Sequence, residues 1–243
     1  MARFRNTRAV TFDCWNTLLY EPDPQRAHGQ RVEALVEVAV SADAEADSER
    51  AHTALESVWL RHVELWQRGV GSGPEDIAYW ALAELGSREA SAVARLTAAF
   101  AEASLGTEIL PLDGAGDTLE QLARGGVRRA LVCDTGFSPG RVVRQLLDRA
   151  GLLELLEVQV FSDEEGVPKP HRRMFEAALT PLRVEPAAAV HVGDLLRTDV
   201  AGARDAGMAT IRIRHRHDDD TQLPEADAVA DTHAHLRQIL GAR

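Results

Sequence analysis

RAVTFD, at residues 8–13, is a short apolar run that ends in a carboxylate. Its composition is typical of a buried strand, and four more runs of this kind follow later in the chain, separated by stretches with helical spacing. Strand and helix in alternation predict a parallel sheet with helices on both faces, an α/β fold with a Rossmann-like core. The later runs occupy residues 128–133, 157–161, 188–193 and 208–213.

Acidic residues follow the predicted strands at the points where the strands end. A parallel sheet places its ligand site outside the carboxyl ends of its strands, so these side chains are the first candidates for chemistry. They are Asp13, Asp134, Asp163 and Asp194.

The segment from about residue 25 to residue 105 has no strand pattern, and its apolar residues recur at helical spacing that fits four helices. We therefore expect an inserted four-helix domain at 21–106, with the sheet-containing core formed by 1–20 and 107–243. Four residues on one helix face are expected in the core of the helical bundle: Leu55, Trp59, Val63 and Trp66.

Composition excludes several classes of function. The chain has 27 basic and 38 acidic residues and a net charge of -11, which disfavours a nucleic-acid-binding surface. It has two cysteines, Cys14 and Cys133, and no secretory start, so we expect reduced thiols in a cytoplasmic protein. No apolar run reaches the length of a membrane span, and we expect no membrane partner.

Lysine usage singles out one residue. Of the 27 basic side chains only Lys169 is lysine, and all others are arginine. A compact ammonium approaches a carboxylate and a phosphoryl oxygen together, whereas a guanidinium is a wide planar fork. The sequence therefore predicts a role for Lys169 that needs lysine, although codon bias alone would also explain a single survivor.

A metal site is the second prediction from the strand ends. Asp194 ends the run at 188–193, and Asp199 follows five residues later. If these carboxylates converge with Asp13, they repel one another unless a divalent cation neutralises them, and an all-oxygen site suits Mg²⁺.

Together these motifs resemble the haloacid dehalogenase superfamily of hydrolases, in the form that carries a helical cap after the first motif. The resemblance covers nearly the whole chain. It implies that Asp13 is the nucleophile, that Thr17 is the threonine of the first motif, and that Lys169 belongs to the third. Asp194 and Asp199 match the acidic fourth motif, which implies bound Mg²⁺.

Two positions depart from the family pattern. The phosphatases of the family read D-x-D-G-T, whereas this chain has Trp15 in place of the general acid; the resemblance still implies a metal contact through the Trp15 backbone carbonyl. In the second motif Cys133 stands where Ser or Thr is usual, so either Cys133 or Thr135 contacts the substrate phosphate. Asp134, at the end of the neighbouring predicted strand, is the candidate substitute acid.

The predicted function is a Mg²⁺-dependent hydrolase that acts on a small phosphate ester or acyl phosphate through an aspartyl-phosphate. Family dehalogenases carry an aromatic residue at the Trp15 position, so a metal-independent dehalogenase that forms an aspartyl ester is the alternative. A decayed enzyme that only binds phosphorylated ligands is a third reading. The branch that cleaves carbon–phosphorus bonds is disfavoured because the cap has no lysine, and Arg61 is the predicted anion contact there.

Overall fold

The computed structural model describes residues 4–241, which divide into two compact units. The first unit contains the chain up to Tyr20, Ile109–Asp134, and the chain from Leu147 onward. The second contains Glu21–Glu108 together with Thr135–Leu146. The segment 135–146 was assigned to the catalytic core from sequence, and the domain boundaries at 21 and 107 stay a prediction.

A six-stranded parallel sheet forms the centre of the first unit, and the predicted α/β class is confirmed. Its strands run in the order β5-β4-β1-β6-β7-β8 and are short and mostly buried, as expected for a sheet covered by helices. A two-stranded antiparallel pair, β2 with β3, lies beside the start of the inserted segment. The strands are β1 Ala9–Phe12, β2 Leu19–Tyr20, β3 Leu110–Pro111, β4 Arg128–Cys133, β5 Val158–Phe161, β6 Ala189–Gly193, β7 Ala209–Ile213 and β8 Ala228–Ala230.

All five runs that the sequence marked as strands are strands of this sheet, and β8 was missed. Three residues, Ala-Val-Ala, are too few to establish an alternating or continuous apolar pattern. The position of β1 matters most for the site, because Phe12 pairs with Leu131 of β4 on one side and with Val192 of β6 on the other. The residues after β1, β4 and β6 therefore emerge at one edge.

Helices and short turns connect these strands. The buried face of α8 (Arg172–Leu182) carries Met174, Phe175 and Ala178, which pack with residues of β4 in one apolar cluster. A π-helical turn, Leu196–Val200, follows β6 directly. The helices of the first unit are α5 Ala115–Arg124, α7 Ser162–Glu165, α8 Arg172–Leu182, α9 Ala201–Asp205 and α10 His233–Leu240. One further helix, α6 Gly140–Arg149, begins in the second unit and ends in the first.

The second unit contains the four helices expected from apolar spacing. They are α1 Pro24–Ser41, α2 Ser48–Gln67, α3 Pro74–Glu84 and α4 Ala90–Glu102, followed by a 3₁₀ turn at Ala103–Gly106. Pro24 occupies the first turn of α1, where its missing N–H costs nothing, and the Asp47 side chain caps α2 by accepting from Arg50 N at 2.9 Å. One buried apolar cluster joins all four helices.

Of the four residues predicted for the bundle core, Leu55 is buried in it, Val63 and Trp66 are only half-buried and outside the core cluster, and Trp59 is exposed. Its side chain is 42% exposed, whereas the neighbouring Val58 is fully buried and His62 nearly so. The buried face of α2 is therefore rotated by one residue from the face that the aromatic spacing indicated. Trp59 stacks on His62 and on Phe137, with ring centroids 4.8 and 5.2 Å apart.

Within residues 4–241, no helix combines the length and the apolar character that crossing a membrane requires.

Candidate active site

The site begins where β1 ends. Asp13 continues the ladder, since its backbone N donates to Val192 O at 2.8 Å, and its side chain is 10% exposed. The chain then turns sharply: Asn16 has a φ of 57°, and the backbone N–H groups of Leu18 and Leu19 both donate to Cys14 O. The nucleophile predicted from sequence is thus held on a short, well-anchored turn.

Lys169 is the centre of the hydrogen-bond network. Its Nζ donates to Asp13 Oδ1 and to Asp199 Oδ1, each at 2.6 Å, and the side chain is only 2% exposed. Its backbone N donates to Asp134 Oδ1 at 2.8 Å. The chain's one lysine therefore contacts residues that follow three different strands, β1, β4 and β6.

Asp199 uses both of its oxygens within the protein. Oδ1 accepts from Lys169 Nζ and from His191 Nε2, the latter at 3.2 Å, and Oδ2 accepts from Leu195 N at 3.0 Å. His191 is buried, which lowers its pKa, and its Nδ1 lies 2.7 Å from Thr11 Oγ1. A neutral imidazole that accepts from Thr11 and donates to Asp199 satisfies both contacts.

Asp194 contacts a residue that the sequence did not single out for the site. Its Oδ2 lies 2.9 Å from His217 Nδ1 and accepts from Asn16 Nδ2 at 3.5 Å. His217 lies in the loop after β7, and the acidic run that follows it is typical of solvated surface. The same loop also places Asp219, whose Oδ2 accepts from Leu196 N at 2.7 Å. Applying the strand-end rule to β7 as well would have found this loop.

Three buried carboxylates share one ammonium, and this imbalance appears in their pKa values. Burial raises the pKa of Asp13 to about 7, with Lys169 opposing and the charge of Asp199 adding to the rise. Burial and the charges of Asp13 and Asp199 raise the pKa of Asp194 to about 8. Burial also acts to raise the pKa of Asp199, but the Lys169 ammonium and the His191 hydrogen bond hold it well below its usual range.

The donor set fits a hard divalent cation. Carboxylate oxygens of Asp13, Asp194 and Asp199 lie within 4.8 Å of one another, and all three residues are buried. Oxygen ligands and an excess of negative charge are what Mg²⁺ requires of a protein site. The expected ligands Asp13, Asp194, Asp199 and the Trp15 carbonyl stay a prediction. Two strand-end carboxylates lie outside this cluster: Asp134, which accepts from Lys169 N, and Asp163, which is exposed in α7.

The residues of the first motif differ in environment. Thr17 is fully buried, and its carbonyl oxygen lies 2.8 Å from His233 Nε2. Its hydroxyl has no hydrogen-bond partner among the residues that the structure describes. Trp15 is half-buried and forms a single bridge with Leu19. Their proposed contacts with substrate and metal remain predictions.

The second motif places its cysteine away from solvent. Cys133 is fully buried, and its Sγ donates to the Asp134 carbonyl at 3.3 Å. A hydrogen bond with Cys14 and burial raise the pKa of the Cys133 thiol well above its usual value, so it stays protonated. Cys14 and Cys133 are both free thiols. Thr135 and Arg61 belong to the second unit, where Thr135 is buried and the exposed Arg61 lies 4.1 Å above the Trp80 ring.

Comparison with known proteins agrees with this geometry. A family model described as haloacid dehalogenase-like hydrolase matches residues 7–207, which include Asp13, Lys169, Asp194 and Asp199. The chain belongs to this family. It is a hydrolase of the phosphatase-like kind, as the resemblance in its motifs implied.

Individual relatives cover most of the hydrolase. It is 30% identical to a glyceraldehyde 3-phosphate phosphatase of Methanopyrus kandleri over 92% of this chain and 91% of the relative. It is 29% identical to a ribulose-1,5-bisphosphate 5-phosphatase of Halopiger xanaduensis over 95% of this chain and 92% of the relative. The crystal structure of a phosphatase of the family from Thermococcus onnurineus superimposes with a TM-score of 0.71 at 23% identity, covering 98% and 99% of the two chains, and supports the fold.

Proposed function

We propose that this hydrolase is a Mg²⁺-dependent phosphatase that acts in the cytosol on a small phosphorylated metabolite through an aspartyl-phosphate. The observation that carries the proposal is the position of Lys169 Nζ between Asp13 and Asp199, beside a third buried carboxylate. The names of its full-length relatives, which are phosphatases of small phosphorylated compounds, support the same reaction type.

Asp13 is the proposed nucleophile. Lys169 Nζ binds Asp13 Oδ1, so the carboxylate is oriented with its second oxygen available for attack. Asp13 forms a bond to phosphorus as the bond from phosphorus to the leaving oxygen breaks, which gives the aspartyl-phosphate and the free leaving group. Water then attacks phosphorus, releases inorganic phosphate and restores the Asp13 carboxylate.

Asp199 acts as a positioning residue for Lys169. It accepts from Nζ at 2.6 Å and is itself fixed by His191 and by the amide of Leu195. Asp13, Asp194 and the Trp15 carbonyl would hold Mg²⁺. Asp199, the fourth predicted ligand, would lie beside the ion, because both of its oxygens already accept hydrogen bonds within the protein. When bound, the ion would neutralise charge on the phosphoryl oxygens.

The indole of Trp15 cannot donate a proton to the leaving group as an aspartic acid does. We therefore propose that the natural leaving group departs as a stable anion, as from an acyl phosphate, or that another acid serves. A missing general acid costs about 10²- to 10⁴-fold in rate when the leaving oxygen needs a proton.

A substrate panel tests the proposal directly. Phosphate esters, acyl phosphates and 2-haloacids are assayed with and without Mg²⁺ on the wild type, on Asp13→Asn and on Asp194→Asn. We expect Mg²⁺-dependent phosphate release that both substitutions abolish without a change in circular dichroism. Asp163→Asn is the matched control, since it removes an exposed strand-end carboxylate, and should keep wild-type rates.

Two outcomes would contradict the proposal. Metal-independent halide release from a 2-haloacid by the wild type would establish the dehalogenase reaction instead. Saturable binding of phosphate esters without turnover of any member of the panel would establish a decayed enzyme.

A further inference from the structure

Arg31 of α1 is a buried cation in the helical unit. The side chain is 8% exposed. Its Nε donates to Phe100 O at 3.3 Å, and its Nη2 donates to Ser104 Oγ at 2.9 Å. Its Cζ lies 4.4 Å from the centroid of the Phe137 ring, which supports the charge from one face.

No carboxylate neutralises this guanidinium directly. Within residues 4–241 its side-chain hydrogen bonds go to a carbonyl and a hydroxyl, and it forms no ion pair with a carboxylate. Burial lowers the pKa of Arg31 to about 10, and Glu21 is the acidic residue whose charge opposes that shift. Glu21 accepts from Thr107 Oγ1 at 3.2 Å rather than from Arg31. A buried charge without a bound partner is costly, so the surroundings of Arg31 favour an added anion.

The hydrogen-bond inventory beside Arg31 has an excess of donors. Ser104 Oγ and Ser138 Oγ are both buried and lie 2.9 Å apart. One of the two hydroxyl groups donates the hydrogen bond that joins them, which uses one of their two protons. The second hydroxyl proton and the Nη1 protons of Arg31 have no acceptor among the described residues. Guanidinium and hydroxyl donors that converge without an acceptor suit a carboxylate or phosphate group.

We propose that Arg31, Ser104 and Ser138 form a binding site for an oxyanion, a carboxylate or phosphate group of a small molecule. Two sources supply such a group. One is a second acidic group on the substrate itself, and this source rests on the proposed phosphatase function. The other is a separate anion that regulates the enzyme.

Titration calorimetry with sulfate tests the site without using catalysis. The full chain is titrated in EDTA at constant ionic strength as wild type, Arg31→Met and Arg68→Met. Arg68 is exposed in the same unit and controls for the loss of one positive charge. We expect one saturable site in the wild type and in Arg68→Met, and at least tenfold weaker binding in Arg31→Met.

Ser138→Ala is the second variant, because it removes a donor while both protein hydrogen bonds of Arg31 stay in place. We expect sulfate binding about three- to tenfold weaker, consistent with the loss of one hydrogen bond. No saturable binding in the wild type, or unchanged binding in both Arg31→Met and Ser138→Ala, would overturn the proposal.

Kinetics with two matched esters distinguish the sources. The probes are 4-carboxyphenyl phosphate and its neutral carboxamide, with Mg²⁺. If the substrate supplies the anion, Arg31→Met raises KM at least tenfold for the carboxylate ester, less than twofold for the carboxamide, and leaves kcat unchanged. If a separate anion binds, sulfate alters the rate with the carboxamide in the wild type and not in Arg31→Met.

The proposal is contradicted if Arg31→Met leaves the KM for the carboxylate ester unchanged and sulfate does not alter the wild-type rate with the carboxamide. Absence of any turnover by the wild type would instead refute the proposed phosphatase function, while the calorimetric result would still decide whether the anion site exists.

Discussion

At the scale of single residues, Lys169 carries the clearest link from sequence to chemistry. Its position as the only lysine among 27 basic residues predicts a role that arginine cannot fill. A charge at the end of a strand is commonly part-solvated and then adds little to stability, but the Lys169 side chain is 2% exposed and lies between two carboxylates. Its loss therefore affects both activity and folding.

We expect Lys169→Arg to reduce activity nearly as much as Lys169→Ala. The guanidinium is too wide to donate to both carboxylates from a buried position where each contact is 2.6 Å. Lys169→Ala should also lower the free energy of unfolding by about 3–5 kcal/mol, because it leaves buried carboxylates without their cation. Rates on an aryl phosphate and urea unfolding measure the two effects. More than half of wild-type activity in Lys169→Arg would contradict the role.

Trp15 leads to a prediction about substrates. Without a general acid at this position, the rate constant should fall steeply as the pKa of the leaving group rises. A series of aryl and alkyl phosphates with Mg²⁺ measures the slope, and we expect alkyl esters to react about 10²- to 10⁴-fold more slowly than aryl ones. Equal rates across the series would indicate that another residue supplies the proton.

At the scale of elements, the end of β6 and the π-helical turn after it bring Asp199 against the strand. A Cβ added to Gly193 would lie 2.3 Å from Asp199 Cγ, a distance that no side chain tolerates. The close approach lets Asp199 reach Lys169 and His191 from the turn. Glycine at the end of this strand is therefore a requirement of packing at the site.

Gly193→Ala should displace Asp199, abolish most activity and lower the free energy of unfolding by about 1–3 kcal/mol through overpacking. Gly29→Ala is the matched control, since an added Cβ in α1 meets nothing within 4 Å. That control should keep wild-type activity and raise stability by about 0.5–1 kcal/mol, because alanine is the better helix former. Denaturant unfolding and steady-state rates test both, and an active, stable Gly193→Ala would contradict the packing argument.

At the scale of the whole molecule, His233 connects the last helix to the first motif. It is fully buried, with Nε2 2.8 Å from Thr17 O and Nδ1 3.2 Å from Thr118 Oγ1. Burial lowers its pKa to about 4, from an ordinary value of 6.5. In the unfolded chain the imidazole takes up a proton below pH 6.5, whereas the folded protein excludes that proton until about pH 4.

This difference predicts that the protein loses stability in acid and that His233 causes part of the loss. As pH falls from 6.5 to 4, the His233 contribution should remove about 3 kcal/mol from the free energy of unfolding, since one pKa unit corresponds to about 1.4 kcal/mol. His233→Gln should show a shallower decline across this window, and His235→Gln, which removes an exposed histidine of the same helix, should not. Urea unfolding at several pH values measures the slopes, and parallel curves for wild type and His233→Gln would refute the assignment.

The sequence by itself determined the fold class and the edge of the sheet that carries the chemistry. Apolar runs that alternate with helically spaced segments are local patterns of the sequence. The strands can be recognised in them because a strand buried on both faces of a parallel sheet is almost continuously apolar. The positions of Asp13 and Asp194 directly after such runs then follow from chain order alone. The single lysine was visible in composition.

Only the tertiary structure decided which side chains meet. The contacts of Lys169 with Asp13, of His217 with Asp194 and of Ser104 with Ser138 join residues 156, 23 and 34 positions apart. Strand order decides the first two, and the surroundings of Arg31 depend on how α1 packs against α4 and the segment 135–146. Burial is also decided by tertiary packing: helical spacing placed Trp59 in the core, yet its side chain is exposed because α2 packs through the face that carries Val58 and His62.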